Sequence, residues 1–211
     1  MDRYPNISDH GLIGDLQTAA LVTTDGTVDW FCCPRFDSPS VFASLLDADK
    51  GGFFRVCPET SDYVTRQLYF PDSAVLITRF MTPDGVGEVT DFMPVAGATP
   101  TDRHRLVRML RVVRGTMRFV ADIKPRFDYG RRPHKLEISD DGVVFDAGDM
   151  HLTLHPVGQR AVPLGSRDWR WSGSEKICAC PVRCVRVRPP GWYWIRWAAG
   201  RRGCRQLRLS A

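Results

Sequence analysis

Along residues 1–158, apolar and polar side chains alternate in short runs, which is the pattern of strands that bury one face. Residues 116–124 are the clearest example, because Met117, Phe119 and Ile123 fall on one face and Arg118 falls on the other. About ten such runs follow one another at a spacing of roughly 8–12 residues, with turn residues between them. The pattern predicts an all-β fold, a large antiparallel β-sandwich.

Two segments depart from simple alternation. Residues 38–46 carry apolar side chains at helical spacing after Ser38 and Pro39, which suit an N-cap and a first helical position, so we predict one short helix there. Residues 106–113 suit either a helix or a buried strand, and the neighbouring predicted strands favour a strand.

Charge divides the chain in two. Of its 29 basic and 24 acidic residues, 12 basic and 2 acidic ones lie in residues 159–211, so residues 1–158 carry a net charge of −5. An acidic body gives no electrostatic reason to bind nucleic acid. Residues 159–211 are rich in arginine and tryptophan and show no strand or helix periodicity, which is typical of GC-rich DNA read out of frame. We predict a sandwich domain over 1–158 and a frameshifted or disordered, irregular basic tail over 159–211. The alternative is a genuine basic segment that recruits an acidic partner.

The chain contains no run of 18 apolar residues, and its first 15 residues lack the apolar core of a secretory signal. The body holds Cys32, Cys33 and Cys57, an odd number that fits a reducing compartment. We therefore expect a cytoplasmic location and no membrane partner.

Metal and cofactor sites are not indicated by the sequence. His104, His134, His151 and His155 lack acidic partners at ligand spacing, and we predict surface or loop positions for them. The cysteine spacing of residues 178–204 does not match a zinc site, and no phosphate-binding or dinucleotide-binding glycine motif is present. We predict neither a metal nor a cofactor.

Residues 13–46 read IGDLQTAALVTTDGTVDWFCCPRFDSPSVFASLL, and this order of motifs resembles the start of the bacterial and archaeal trehalase and glucoamylase proteins of glycoside hydrolase family 15. Shorter segments that match in the same order follow at residues 69–73, 82–85, 90–94 and 125–130. The resemblance covers residues 4–158 and does not extend to the tail.

The resemblance implies a large β-sandwich followed by an (α/α)6 barrel, and inverting hydrolysis of an α-glucoside by two glutamates of that barrel. No position of this chain aligns with the barrel, and the glutamates of the body are Glu59, Glu88 and Glu137. We therefore predict the N-terminal fragment of such a hydrolase, without catalytic residues of its own, whose partner is the catalytic barrel.

The tetrapeptide Pro-Arg-Phe-Asp occurs at residues 34–37 and again at 125–128, where Tyr129 follows it. In a structural interpretation, the proline ends a strand, the phenylalanine plugs the sandwich end, and the arginine and aspartate clamp the loop bidentately. In a functional interpretation, both loops lie at the end that faces the barrel and wall the sugar site. The substrate-proximal candidates are then Arg35, Phe36, Asp37, Arg126, Phe127, Asp128 and Tyr129, with the aromatic rings as stacking surfaces.

A free-standing carbohydrate-binding or interaction module is the alternative function. In that case Trp30, Phe36 and Tyr129 would be sugar platforms, although the position of Trp30 in mid-strand favours its burial. The aspartates of the recognisable motifs are predicted to bond loop N–H groups or to pair with Arg35 and Arg126. These aspartates are Asp15, Asp29, Asp37, Asp91 and Asp128.

Overall fold

The computed structural model of the protein describes residues 4–95, 97, 103–139, 142–158, 170–171, 182–183, 185–187 and 192–201. The described residues form a 3-10 turn at Ile7–Asp9 and a series of strands. In the body these are β1 (His10–Gly14), β2 (Ala19–Thr23), β3 (Thr27–Cys32), β4 (Ser40–Ala43), β5 (Phe53–Pro58), β6 (Val64–Tyr69), β7 (Leu76–Thr82), β8 (Gly85–Phe92), β9 (His104–Gly115), β10 (Met117–Lys124), β11 (Lys135–Ser139), β12 (Gly142–Asp146) and β13 (Met150–Gly158). Beyond them lie β14 (Arg170–Trp171), β15 (Val182–Arg183), β16 (Val185–Val187) and β17 (Trp192–Arg201).

Two antiparallel sheets make up the sandwich, which confirms the predicted fold class. The first sheet has the order β1-β2-β3-β5-β10-β16, with β4 paired to β3, and the second has the order β11-β12-β13-β17-β9-β8-β7-β6. Strands β14 and β15 form a separate pair. Within the described residues, no helix is long and apolar enough to cross a membrane.

Strands with strong local signals form where the sequence predicts them. Strands β7 and β8 flank the predicted turn, and β9 covers the ambiguous residues 106–113. Along β10, buried and more exposed side chains alternate, and Met117, Phe119 and Ile123 lie in the core between the sheets.

The predicted helix at residues 38–46 is wrong, because Ser40–Ala43 form β4 instead. This strand pairs with the end of β3, and all four of its residues are buried. A short amphipathic helix would bury one face, whereas this segment buries both. Ser38 serves a tight turn, in which its hydroxyl oxygen accepts the backbone N–H of Arg35 at 3.0 Å.

The described strands beyond residue 158 join both sheets of the body. Strand β16 pairs with β10, and β17 lies between β9 and β13. Backbone pairing is therefore not confined to residues 1–158. The division of the chain at residue 158 stays a prediction.

Arg108 crosses the core and ties the two sheets together. Its fully buried guanidinium donates two hydrogen bonds to the carboxylate of Asp91, at 2.8 and 3.0 Å. It also donates to the carbonyl oxygens of Phe54 at 2.8 Å and Gly26 at 2.7 Å. Arg108 and Asp91 belong to the second sheet, while Phe54 and the β2–β3 turn that holds Gly26 belong to the first. A buried charge pair is tolerated because both charged groups have partners.

Candidate functional site

The two Pro-Arg-Phe-Asp loops lie at the same end of the first sheet. Residues 34–37 follow β3, and residues 125–128 follow β10. Because β3 and β10 both pair antiparallel with β5, they run in the same direction and end on the same side of the sheet, where β5 begins. The fold thus brings together two copies of one motif that are distant in the sequence.

The second loop is anchored on β4, the strand that continues the first loop. The backbone N–H groups of Arg126 and Asp128 donate to the carbonyl oxygens of Val41 and Ser40, each at 2.9 Å. The N–H of Tyr129 reaches the hydroxyl oxygen of Ser40 at 3.2 Å. These backbone bonds hold the second loop against the segment that follows the first.

The two phenylalanines of the motif have opposite environments. Phe127 is 2% exposed and packs edge-on against the His134 ring, with the ring centroids 5.4 Å apart. Phe36 is 61% exposed. Phe127 therefore plugs the end of the sandwich, and Phe36 presents its ring to solvent.

The predicted bidentate clamp is wrong for the first loop. Nε of Arg35 lies 3.9 Å from Oδ1 of Asp37, and both side chains are largely exposed. Water competes for both groups at that distance and exposure. In the second loop, Asp128 accepts a hydrogen bond from Arg131 at 2.8 Å. Arg126 donates to the carbonyl oxygen of Pro125 at 3.2 Å.

Tyr129 is a partly exposed ring that other side chains hold in position. It is 41% exposed, and its centroid lies 6.4 Å from that of the half-buried Trp30. The guanidinium carbon of Arg131 lies 5.6 Å from the centroid of the same ring. A ring fixed by an aromatic neighbour and a cation keeps one orientation, which suits recognition of a flat ligand face.

A buried hydrogen bond between two side chains fixes the neighbouring β1–β2 turn. His104 and Asp15 are almost fully buried, and Nδ1 of His104 lies 2.6 Å from Oδ2 of Asp15. The surface or loop position predicted for His104 is therefore wrong, because His104 is buried at the start of β9 against a residue of the β1–β2 turn. Burial acts to raise the pKa of Asp15, but hydrogen bonds from His104 and from the N–H groups of Thr18 and Gln17 outweigh it, so the pKa is lowered.

Unusual backbone conformations collect at this same end. Among non-glycine residues of the described part of the chain, φ is positive at Leu16 (74°), Asp72 (55°), Asp128 (53°) and Tyr129 (56°). Asp72 lies in the loop between β6 and β7. The antiparallel pairing of the second sheet places this loop at the end of the sheet where β9 begins. Each such residue costs about 1–3 kcal/mol, and such strain clusters at binding sites and active sites.

The other aspartates of the motifs have structural partners, and these are not the predicted arginines. Oδ2 of Asp29 lies 2.8 Å from Nε2 of His10, and burial raises the pKa of Asp29 despite this contact. Asp91 is bound by Arg108. Sequence reasoning missed these pairs because the partners lie on different strands.

The described residues contain no group of three His, Cys, Asp or Glu side chains that could hold a metal ion. Cys32, Cys33 and Cys57 are buried and form no disulfide. Burial raises the pKa of the Cys32 thiol to about 11, so this thiol is protonated near neutral pH.

Comparison with known proteins identifies the family. Residues 2–161 match the family described as "Trehalase-like, N-terminal". A trehalase of Thermoplasma volcanium is 35% identical over 147 residues, which cover 69% of this chain and 24% of that protein. A trehalase of Mycolicibacterium smegmatis is 35% identical over 143 residues, covering 61% of this chain and 21% of that protein. The chain thus spans about a quarter or less of these relatives. It belongs to the trehalase-like N-terminal family.

Proposed function

We propose that residues 1–158 are the N-terminal β-sandwich of a family 15 glycoside hydrolase of the trehalase or glucoamylase type. The sandwich supports a catalytic (α/α)6 barrel, and the whole enzyme hydrolyses an α-glucoside such as trehalose. The observation that carries this proposal is the family match over residues 2–161. Two trehalases that resemble this chain support it. The matched segment makes up only 24% and 21% of their lengths, which leaves room for a further domain in those proteins.

We expect the barrel to dock at the end that holds the two Pro-Arg-Phe-Asp loops. Leu16 and Phe36 are 84% and 61% exposed there. The buried Asp15–His104 pair holds the loop of Leu16, and hydrogen bonds between Arg35 and Ser38 close the loop of Phe36. Exposed apolar side chains on rigid loops are typical of interaction surfaces. In this arrangement the wall of the sugar site includes the side chains of Arg35, Phe36, Asp37 and Tyr129. These residues are supported by Arg126, Phe127 and Asp128.

A chimera tests this role. Residues 2–161 of this chain replace the matched quarter of the Thermoplasma volcanium trehalase, and we expect the chimera to hydrolyse trehalose. Phe36→Ala in the chimera should raise KM for trehalose. The matched control is Val64→Ala, because Val64 is 64% exposed but lies at the opposite end of the second sheet.

The two measurements separate the two parts of the proposal. A folded chimera without trehalase activity contradicts the supporting role. An active chimera whose KM changes equally, or not at all, in the Phe36 and Val64 variants contradicts the sugar-wall role and leaves the supporting role intact.

We propose a cytoplasmic location for this domain. The support is the set of three buried thiols, which suits a reducing compartment. Labelling of the denatured protein with a thiol reagent directly after cell lysis should show Cys32, Cys33 and Cys57 in the reduced state. An oxidised population would contradict this location.

A free-standing carbohydrate-binding module is the second candidate, and the pairing of Trp30 with Tyr129 favours it. Titration of the purified chain with trehalose or maltotriose would then quench tryptophan fluorescence, and Tyr129→Ala would abolish the effect. Saturable quenching that Tyr129→Ala does not change would exclude this ring as the platform.

A further inference from the structure

His10 joins the N-terminal turn to the first sheet through both of its ring nitrogens. Nδ1 lies 2.8 Å from the carbonyl oxygen of Asn6, which precedes the 3-10 turn Ile7–Asp9. Nε2 lies 2.8 Å from Oδ2 of Asp29 on β3. The side chains of His10 and Asp29 are each 5% exposed, so the ring is shielded from water. It therefore bridges an exposed turn and a buried carboxylate.

Both groups that the His10 ring meets are hydrogen-bond acceptors, and this sets the number of protons in the pair. A backbone carbonyl oxygen and an ionised carboxylate only accept hydrogen bonds, while a neutral imidazole has a single N–H to donate. Two such bonds need the imidazolium form of His10, or a proton on Asp29 instead. In either case the closed arrangement holds one proton more than a neutral histidine beside an ionised aspartate.

The contact between His104 and Asp15 has a different requirement. Nδ1 of His104 meets Oδ2 of Asp15 at 2.6 Å, but Nε2 is buried without a hydrogen-bond partner among the described residues. A single N–H is enough for this contact, so it needs no second ring proton. The additional proton is thus a property of the His10 site and not of every buried histidine–aspartate contact in the sandwich.

Negative charges surround His10 and favour its additional proton. Asp29 faces the ring from β3, and Asp9 lies in the turn itself. Asp25 acts on Asp29 from the β2–β3 turn, while Arg55 on β5 lies 3.5 Å from Asp25. Burial acts to lower the pKa of His10, but the Asp29 carboxylate and the carbonyl oxygens of the turn outweigh it, so the pKa is raised.

Loss of the additional proton opens the contact with the turn, because the contact with the sheet is costlier to break. Asp29 is buried and its Oδ1 has no hydrogen-bond partner in the described part of the chain, so its carboxylate needs the remaining N–H of the ring. Nδ1 then presents a lone pair to the carbonyl oxygen of Asn6. The turn has no buried residue, and a backbone bond from Thr24 to Asp9 anchors its end.

We propose that His10 is a proton-dependent latch that closes the N-terminal turn, residues 6–9, onto the first sheet and releases it as the pH rises. The latch acts at the edge of the described sheet, because β1 is its last strand and the N–H of His10 donates to the carbonyl oxygen of Ile7. The backbone of Leu12 is covered separately, since its N–H and C=O bond the hydroxyl of Tyr69 at 2.7 and 2.9 Å. This inference does not depend on the proposed enzymatic role.

Amide hydrogen exchange of the full chain between about pH 6 and about pH 9, corrected for the intrinsic exchange rate at each pH, tests the latch. The amides of Asp9 and His10 donate to Asn6 and Ile7 and report on the turn. A raised pKa stabilises the closed form below the ordinary value of about 6.5, and this stabilisation is lost as the pH rises through the raised pKa. We expect their protection to fall by up to about ten-fold per pH unit above that pKa. The Leu12 amide should keep its protection.

Asp29→Asn separates the latch from other effects of pH, because an asparagine lets a neutral His10 keep both bonds. The asparagine amide donates to Nε2, and Nδ1–H donates to Asn6. We expect the Asp9 and His10 amides of this variant to keep at about pH 9 the protection that the original chain loses. The matched control is Asp25→Asn, which removes a nearby negative charge but leaves both bonds of His10, so the pH dependence should remain.

Two results would overturn the proposal. One is protection of the Asp9 and His10 amides that does not change with pH in the original chain. The other is an Asp29→Asn variant that is no better protected than the original chain at the alkaline end. The α-amino group titrates in the same range but is common to all these proteins. If Asp29→Asn does not fold, His10→Phe decides, because its protection should be low at every pH and any other pattern overturns the proposal.

Discussion

At the scale of single residues, the sandwich buries polar side chains at positions where most proteins place apolar ones. Arg108 and Asp91 are fully buried and bonded to each other, and Asp15 with His104 forms a second buried pair. Such pairs contribute little over apolar packing while they are intact, but breaking one leaves a charge that water cannot reach. Their loss should therefore be costly.

Removal of Arg108 is the clearest residue-scale prediction. Arg108→Met leaves the carboxylate of Asp91 buried without its partner, and we expect the free energy of unfolding to fall by about 3–5 kcal/mol in urea denaturation. The control is Arg118→Met, because Arg118 lies 3.6 Å from Glu59 and both side chains are about half exposed. The free energy of unfolding of the Arg118→Met variant should fall by less than about 1 kcal/mol. Similar losses in both variants would contradict the role of Arg108.

The His134 ring makes stability depend on pH. Burial and the nearby charge of Arg126 lower the pKa of His134 to about 4. Below a pH of about 6.5, His134 binds a proton in the unfolded chain but stays neutral in the folded chain. The free energy of unfolding therefore decreases as the pH falls from about 6.5 towards 4.

His134→Phe should remove that part of the pH dependence, because a phenylalanine can keep the edge-on packing between Phe127 and Phe145. Urea denaturation at about pH 7.5 and about pH 5 checks this, and the variant should lose less stability between the two values. Parallel losses in the variant and the original chain would show that His134 does not titrate as expected.

At the scale of elements, the sequence predicts what is encoded locally. It predicts β10 and the β7–β8 hairpin correctly, because alternation and turn residues are features of a few neighbouring positions. It fails at residues 38–46, because pairing with β3 and burial of both faces outweigh their helical spacing. It misplaces His104 for the same reason, since the partner Asp15 lies 89 positions away.

The turn between β2 and β3 gives an element-scale prediction. Gly26 has φ +81°, and a Cβ there would lie 2.2 Å from the carbonyl oxygen of Val56 on β5. Gly148 has φ +96°, and a Cβ there would have no heavy atom within 4 Å. Alanine is strained at both positions, but only at Gly26 does it also collide with the sheet.

We expect Gly26→Ala to lower the free energy of unfolding by about 1–3 kcal/mol more than Gly148→Ala does. Thermal or urea denaturation of the two variants measures the difference. Equal destabilisation would mean that the backbone conformation alone explains the cost and that the approach of β5 adds nothing.

At the scale of the whole molecule, the candidate site could be predicted in part. The repeated Pro-Arg-Phe-Asp motif marks both loops, but the different environments of Phe36 and Phe127 depend on strand order and on the packing of Phe127 against His134. Asp128 pairs with Arg131, and its backbone bonds to Ser40, contacts that the motif itself does not encode.

The purified chain should release no glucose from trehalose or maltooligosaccharides. Inverting hydrolysis needs two carboxyl groups about 6.5–9.5 Å apart, with room for a water. Glu88 is bound by Arg79 at 2.6 Å, and Glu59 lies near Arg118, so both have structural partners. A glucose assay with the Thermoplasma volcanium trehalase as positive control checks this. Turnover that Asp37→Asn or Asp128→Asn abolishes would show that the chain carries an active site.

The Arg108 network also bears on the order of events during folding. Its partners Asp91, Phe54 and Gly26 lie 17, 54 and 82 positions away, so the more distant contacts require closure of long loops. We expect these contacts to form after the main folding barrier, and their loss then accelerates unfolding more than it slows folding. In stopped-flow experiments, Arg108→Met should shift the unfolding arm of the chevron, whereas a slower folding arm would assign Arg108 to the folding nucleus. Arg108 would then determine how long the folded chain lasts more than how quickly it forms.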